Sequence, residues 1–219
     1  AKMRDYLKPE IEISMVDHDP ASGGMSLEHL EKLLTIPTSA VYFENPSYLG
    51  FLEIHSAEIP GMAHNHGALA VVDVDPLSLG ILSPPIRYGA DIVCGDIQSM
   101  GMHMQYGGGQ AGFIASRDDE KIVMQYPSRL FGISPTRVPG EYGFGDVAYD
   151  RTSFAKREAG NEWVGTAAAL WGITAGVYLA LMGPQGMKEI GEGILYRSRY
   201  AMQEIGRIAG VRTDAFTAP

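Results

Sequence analysis

A chain of 219 residues with 17 basic and 26 acidic side chains carries a formal charge of -9. Its basic residues are dispersed and form no stripe for a phosphodiester backbone or an anionic bilayer, so neither nucleic acid nor a membrane is an expected partner. At 45% hydrophobic and 20% charged residues the chain can bury a sizeable core, enough for one large domain or parts of two. The single cysteine, Cys94, permits no internal disulfide, which suits a reducing compartment and a cytoplasmic location. Cys94 lies in an apolar run, where a buried structural thiol is favoured over a nucleophile.

In chain order, Ile11 to Val16 reads as a strand, and Ser26 offers an N-cap oxygen to a helix with Leu27, Leu30, Leu33 and Leu34 on one side. "SAVYFENPSYLG" follows as a strand broken at Asn45-Pro46, because proline disfavours helix at the residue before it. A helix is expected before His66-Gly67, then the strand "ALAVVDVD". Its run from Ala68 to Val72 is almost wholly apolar, as in a strand buried on both faces of a parallel sheet.

Residues 89–115, "GADIVCGDIQSMGMHMQYGGGQAGFIA", read as strand, polar turn, glycine cluster and second strand. Tyr126 to Asp150, rich in Pro, Gly and aromatic residues, reads as a long ordered excursion that covers a site or meets a partner. From Phe154 a long helix is expected up to Gly183-Pro184, followed by another closed by Gly210 as an αL cap. The apolar stretch Val164 to Met182 is interrupted by glycines and reads as a core helix, not a membrane span. The first residues lack the order of a signal peptide, and both ends, the last being "AFTAP", read as cut from something longer.

Strands alternating with helices argue for an α/β domain with helices on both faces of a mainly parallel sheet. Ligands bind such sheets beyond the carboxyl ends of the strands. The polar residues there are Glu44 and Asn45, Asp73 and Asp75, and Asp96 to Ser99, which should converge.

Residues 71–115, "VVDVDPLSLGILSPPIRYGADIVCGDIQSMGMHMQYGGGQAGFIA", closely resemble the P-protein family of the glycine cleavage system, the pyridoxal-phosphate-dependent glycine decarboxylases. Similarity extends through "ENPSYLG", "YPSRLFG", "AKREA" and "YLALMGPQGMKEI", and is greatest to subunit 1 of the two-subunit forms. The resemblance implies a fold-type I pyridoxal-phosphate transferase architecture, with a mainly parallel sheet, flanking helices and a smaller C-terminal domain. Residues 1–183 would be the later part of the large domain. Residues 184–219 would be a helix leading into a truncated small domain.

In the family's catalytic subunit the matching motif ends in His-Lys, and that lysine holds the cofactor covalently. Here Gln98-Ser99 occupies that place. Serine cannot form the covalent link, and Lys2, Lys8, Lys32, Lys121, Lys156 and Lys188 follow no suitable strand. The resemblance therefore implies no catalytic residue and no covalently bound cofactor in this chain, with pyridoxal phosphate held by a partner subunit. Asp73 ends its strand where such enzymes place the carboxylate that pairs with the pyridinium nitrogen. Family subunit 1 sequences agree better at Asp75, and the plainer reading of Asp73 is an aspartate capping the loop into "PLSLG".

Gly107, Gly108 and Gly109 could bring backbone N–H groups to a phosphate or lie at a subunit interface, or simply connect strands tightly. His103 is a candidate contact to substrate or partner, beside Asn45, Gln98 and Arg157; Arg157 sits in "AKREA", where the family resemblance suggests an interface. "SMGMHM" could be an adaptable contact surface or core filling. His55, His64 and His66 lack a completing ligand set, so no metal site is expected. "GNEWVGTAAALW" departs from the family's polar helix start and is compatible with a paralogue acting on another amino acid.

The expected function is a lysine-less, non-catalytic partner half of a glycine decarboxylase-like complex in glycine catabolism. It would pair with a lysine-bearing catalytic P-protein subunit and serve a lipoyl carrier protein, burying a flank of the long helix in the heteromer and remaining inactive alone. The alternative is a stand-alone ligand-binding or regulatory protein that kept the fold without the chemistry.

Overall fold

The computed structural model describes residues 11–104, 110–160 and 168–213. A four-stranded sheet in the order β1 (Ala40–Glu44), β2 (Leu69–Asp73), β3 (Ile92–Asp96), β4 (Gly112–Ser116) organises the fold. β1, β2 and β3 are parallel, and β4 runs antiparallel to β3.

Two helices cover one face of this sheet. In α1 (Leu27–Leu34) the Ser26 side chain accepts from the His29 N–H, satisfying one of the donors that a helix start leaves unpaired. Leu30 and Leu34, one turn apart, face inward. α2 (Glu58–Asn65) supplies Ile59 and Ala63, and these four pack with Val41, Phe43, Ala68 and Val72 in one core.

The sheet's other face is only partly covered by the described residues. Leu69 is exposed and Val71 only half-buried, so the expectation that β2 is buried on both sides fails among the described residues. The apolar run does form a strand, but the described residues supply no full second covering layer for it. Ile11 to Val16 is likewise not a strand: it carries no ladder, Ile13 and Met15 face solvent, and His18 and Met25 form only an isolated bridge just beyond it. β propensity needs a neighbouring strand to take up the backbone N–H and C=O groups.

After β4 come a short helix, α3 (Glu120–Val123), and an antiparallel ribbon of β5 (Phe131–Pro135) and β6 (Tyr142–Asp146). This ribbon lies within the excursion expected from Tyr126 to Asp150. Fully buried Arg151 anchors its entry by donating to the carbonyls of Tyr126 and Ser128, both at 2.7 Å. Arg129 pairs with Asp146 and stacks over Phe154, 4.0 Å from the ring centre.

The long helix does not begin at Phe154. A single turn, α4 (Ser153–Lys156), ends at Arg157, whose φ of 53° leaves the helical region, and extended Gly160 follows. Gly160 is pressed on the Ser153 backbone, 2.6 Å from where a Cβ would sit. α5 spans Ala169–Gly206 and is interrupted at Gly183 (φ 58°, ψ -177°) immediately before Pro184, where a helix stop was expected. Helix resumes at once. Gly210 is left-handed (φ 82°) as expected, but it lies beyond the helix end at Gly206 and does not cap it.

Candidate functional site

Register brings the carboxyl ends of three strands together: Asp73 of β2 lies opposite Glu44 of β1 and Cys94 of β3. The Asn45 N–H donates to the Asp73 carbonyl at 2.9 Å, extending the ladder one residue past β1. Side chains alternate along a strand, so Tyr42, Glu44, Asp73, Cys94 and Asp96 share the open face. The expected convergence of these strand ends is therefore found.

Asp73 is the centre of this group. Its Oδ2 accepts a weak S–H bond from Cys94 at 3.5 Å, and the Tyr42 hydroxyl also hydrogen-bonds its carboxylate. Partial burial pushes the Asp73 carboxyl above its usual range, with the negative charges of Glu44 and Asp96 acting the same way, against the pull of the Cys94 and Tyr42 bonds. Burial, then the Asp73 charge, pushes the Cys94 thiol up to about 11. A thiol held neutral at pH 7 is a poor nucleophile. Tyr42 is raised as well, first by burial and then by Asp73.

Asp75, rather than Asp73, forms the turn into "PLSLG". Its side chain accepts from the Leu77 N–H at 3.0 Å and its carbonyl from the Ser78 N–H at 2.9 Å, starting the loop into "PLSLG". Asp73 stays within the sheet.

The turn after β3 is closed by backbone bonds from Ile97 to Ala111 and from Met100 to Ile97, and by the Gln98 N–H to Asp96 Oδ1 at 2.6 Å. The Gln98 amide donates to the Met102 carbonyl at 3.0 Å. Ser99 is exposed on this turn. Asn45 ties segments together: its side-chain oxygen accepts from the Glu53 N–H at 3.3 Å, and its side chain bonds Tyr88.

His103 is exposed four residues beyond Ser99. Arg157 is exposed in the tight turn after α4. Gly107, Gly108 and Gly109, like most of "GNEWVGTAAALW", lie outside the described residues. His55, His64 and His66 each pair with a different carboxylate, those of Glu58, Asp91 and Glu31. Among the described residues no group of three potential ligands could hold a metal ion, and no helix is long and apolar enough to cross a membrane.

Sequence reasoning missed Tyr42. The alternation of "AVYFE" was sufficient to set Tyr42 and Glu44 on one face, but only the parallel register places that face beside Asp73. The methionines of "SMGMHM" divide, with Met100 and Met102 buried and Met104 exposed.

The family model described as glycine cleavage system P-protein matches residues 7–216. Similar curated relatives include the probable glycine dehydrogenase (decarboxylating) subunit 1 of Staphylothermus marinus, 35% identical over 212 residues that are 96% of this chain and 45% of the relative. The protein of the same description from Saccharolobus islandicus is 39% identical over 211 residues, 94% of this chain and 46% of its own. The chain thus spans less than half the length of the curated relatives it matches.

Among solved structures, an inhibitor-bound glycine decarboxylase (P-protein) of the glycine cleavage system superposes with a TM-score of 0.68 at 36% identity, over 76% of this chain and 38% of that one. A sphingosine-1-phosphate lyase from Burkholderia pseudomallei, 13% identical, shares the fold with a TM-score of 0.64 over 96% of this chain and 45% of its own. The architecture is that of the fold-type I pyridoxal-phosphate-dependent enzymes.

Proposed function

We propose a function from one premise: the chain belongs to the glycine cleavage system P-protein family. It acts as the lysine-less half of a two-subunit glycine decarboxylase, supplying shape and contacts while a partner subunit holds the cofactor. The observation that carries this reading is Ser99, exposed in the β3–β4 turn where the family motif has its lysine.

The residues present suit pyridoxal phosphate only in part. Asp73 offers a carboxylate for a pyridinium nitrogen, but it already engages Cys94 and Tyr42, and no described lysine lies in the β3–β4 turn. Lys32 and Lys188 pair with carboxylates on their own helices. When bound, the cofactor supplies an electron sink for bond cleavage at the α-carbon of an amino acid. On this reading that chemistry belongs to the partner subunit, whose lipoyl carrier protein takes the product.

The role left to this chain is assembly. The outer side of α5 presents Leu170, Ile173, Val177 and Leu181 to solvent, spaced three and four residues apart so that they form one stripe. Its opposite side packs inward through Ala175 and through Tyr178, which lies against Gly101 of the site turn. A partner seated on the stripe would be linked to that turn through one helix. Residues 184–219, after the Gly183 break, would begin the smaller domain.

The test is the intact mass of the purified protein, with any co-purifying subunit, after incubation with pyridoxal phosphate and borohydride reduction. The expected result is no specific adduct on this chain and a stoichiometric one on a lysine of the partner. A stoichiometric adduct mapped to one lysine of this chain would overturn the reading.

A further inference from the structure

The strand that carries Asp73 lies between two others, and each of them sends a hydrogen-bond donor to the same carboxylate. Register sets Cys94 of β3 directly across from Asp73. Tyr42 of β1 stands opposite Val71, two residues earlier on the same face of β2. A side chain as long as tyrosine spans such a diagonal. The Cys94 thiol donates to Asp73 Oδ2 at 3.5 Å, and the Tyr42 hydroxyl reaches the carboxylate from the opposite strand.

Both groups hold their protons at neutral pH. Burial, then the Asp73 charge, pushes the Tyr42 hydroxyl upward, and the same two causes push the Cys94 thiol up to about 11. They are therefore donors, and Asp73 is the acceptor between them. Partial burial and the charges of Glu44 and Asp96 work against an ionised Asp73, while the two donors act the other way. The second aspartate of the motif offers no alternative, because the Asp75 side chain is engaged by the Leu77 N–H.

A pyridinium nitrogen pairs with a carboxylate by supplying a donor of this kind. In this chain the donors come from the sheet itself. A half-buried acceptor deprived of its donors is left short of hydrogen bonds, so a ligand that restores one gains affinity; an acceptor already served gives the ligand much less.

We propose that Tyr42 and Cys94 stand in for the cofactor's ring nitrogen: by donating to Asp73 from the two adjoining strands, they make this strand-end site unreceptive to a pyridinium ring even without a covalent link. The inference rests on the reading that this half holds no cofactor of its own, and it names the residues that enforce the exclusion. Ser99 withholds the covalent anchor; Tyr42 and Cys94 withhold the charged one.

The test is non-covalent binding of deoxypyridoxine phosphate, which keeps the ring nitrogen but carries a methyl group in place of the aldehyde, so no lysine can capture it. Equilibrium dialysis compares the full-length natural polypeptide, isolated without partner, with its Tyr42→Phe/Cys94→Ala variant. The variant is expected to bind at least about tenfold more tightly, the worth of one hydrogen bond to a charged group. Adding Asp73→Asn should abolish that gain, because both donors act through this carboxylate. Equal affinities, including no binding by either protein, overturn the proposal, and so does a gain that survives Asp73→Asn. Should the double variant fail to fold, Tyr42→Phe and Cys94→Ala are each read by the same criteria. A lysine adduct in the borohydride experiment would overturn the reading of Ser99 and leave this comparison measurable, whereas equal affinities here would leave the reading of Ser99 intact.

Discussion

Gly80 is where the second half of α5 touches the loop that follows β2. A Cβ built there would lie 2.1 Å from the Met187 carbonyl oxygen, 2.5 Å from its carbon and 3.0 Å from the Lys188 nitrogen. Close carbon–oxygen contacts settle near about 3.3 Å, so Gly80→Ala forces the helix back by about 1 Å. Overpacking of this kind costs about 1–3 kcal/mol. The obstacle is backbone and cannot turn aside, so the cost sits at the upper end of that range, and the roughly 0.4–1 kcal/mol returned by restricting the unfolded chain leaves a net loss of about 2–2.6 kcal/mol.

Gly172→Ala supplies the opposite sign. It lies inside α5 with nothing within 4 Å of an added Cβ, and helix propensity predicts a gain of about 0.8–1 kcal/mol. Urea unfolding of the full-length protein reads both variants through their midpoints. Adding Met187→Ala should not rescue Gly80→Ala, since the obstacle is backbone. If Gly80→Ala proves neutral or stabilising while Gly172→Ala stabilises, the close-approach argument is wrong.

Leu30→Ala empties a site only 2% exposed between α1 and the sheet and should cost about 2–5 kcal/mol in the same assay. Asp73→Asn should stabilise the protein at neutral pH. The Asp73 carboxyl is raised on folding, so the native state holds its proton more tightly than the unfolded chain, and stability falls as pH rises from the unfolded pKa through the folded one. The variant lacks that fall, and its advantage should vanish as the pH drops below the window. An advantage independent of pH would show that burial of this carboxyl is not the cause.

Much of the sheet was legible because each strand carries its own signal. The alternation of "AVYFE" and the apolar run before Asp73 locate β1 and β2, and Ser26 followed by leucines at helical spacing locates α1. Ile11 to Val16 has the same local character without being a strand, because pairing is a property of the neighbour. The ribbon of β5 and β6 was hidden among glycines, prolines and aromatics whose alternation serves no buried face; its Phe131, Ile133, Tyr142 and Phe144 all stand exposed. In the site, Asp73 was found from its place at a strand end. Glu44 was joined to it as the end of a neighbouring strand, but Tyr42 was not, because its place beside Asp73 depends on the register between strands rather than on either strand alone. Arg157 was expected at the head of a long helix, but no periodicity reveals that the first turn ends at Arg157 with a φ of 53°, or that Gly160 lies against the Ser153 backbone.

On the proposed function, the turn after β3 bears on how such a half could part from its chemistry. Its closure rests on the backbone of Ile97, Met100 and Ala111 and on the Asp96 carboxylate, and the Ser99 hydroxyl contributes none of these bonds. An exchange at such an exposed position typically shifts stability by no more than about 0.5 kcal/mol. A lineage could therefore lose a reactive side chain here in one step, with no destabilised intermediate for selection to remove. Catalytic competence and structural persistence are thus separable traits at this residue, and a silent half can keep its shape indefinitely as long as its contacts remain useful.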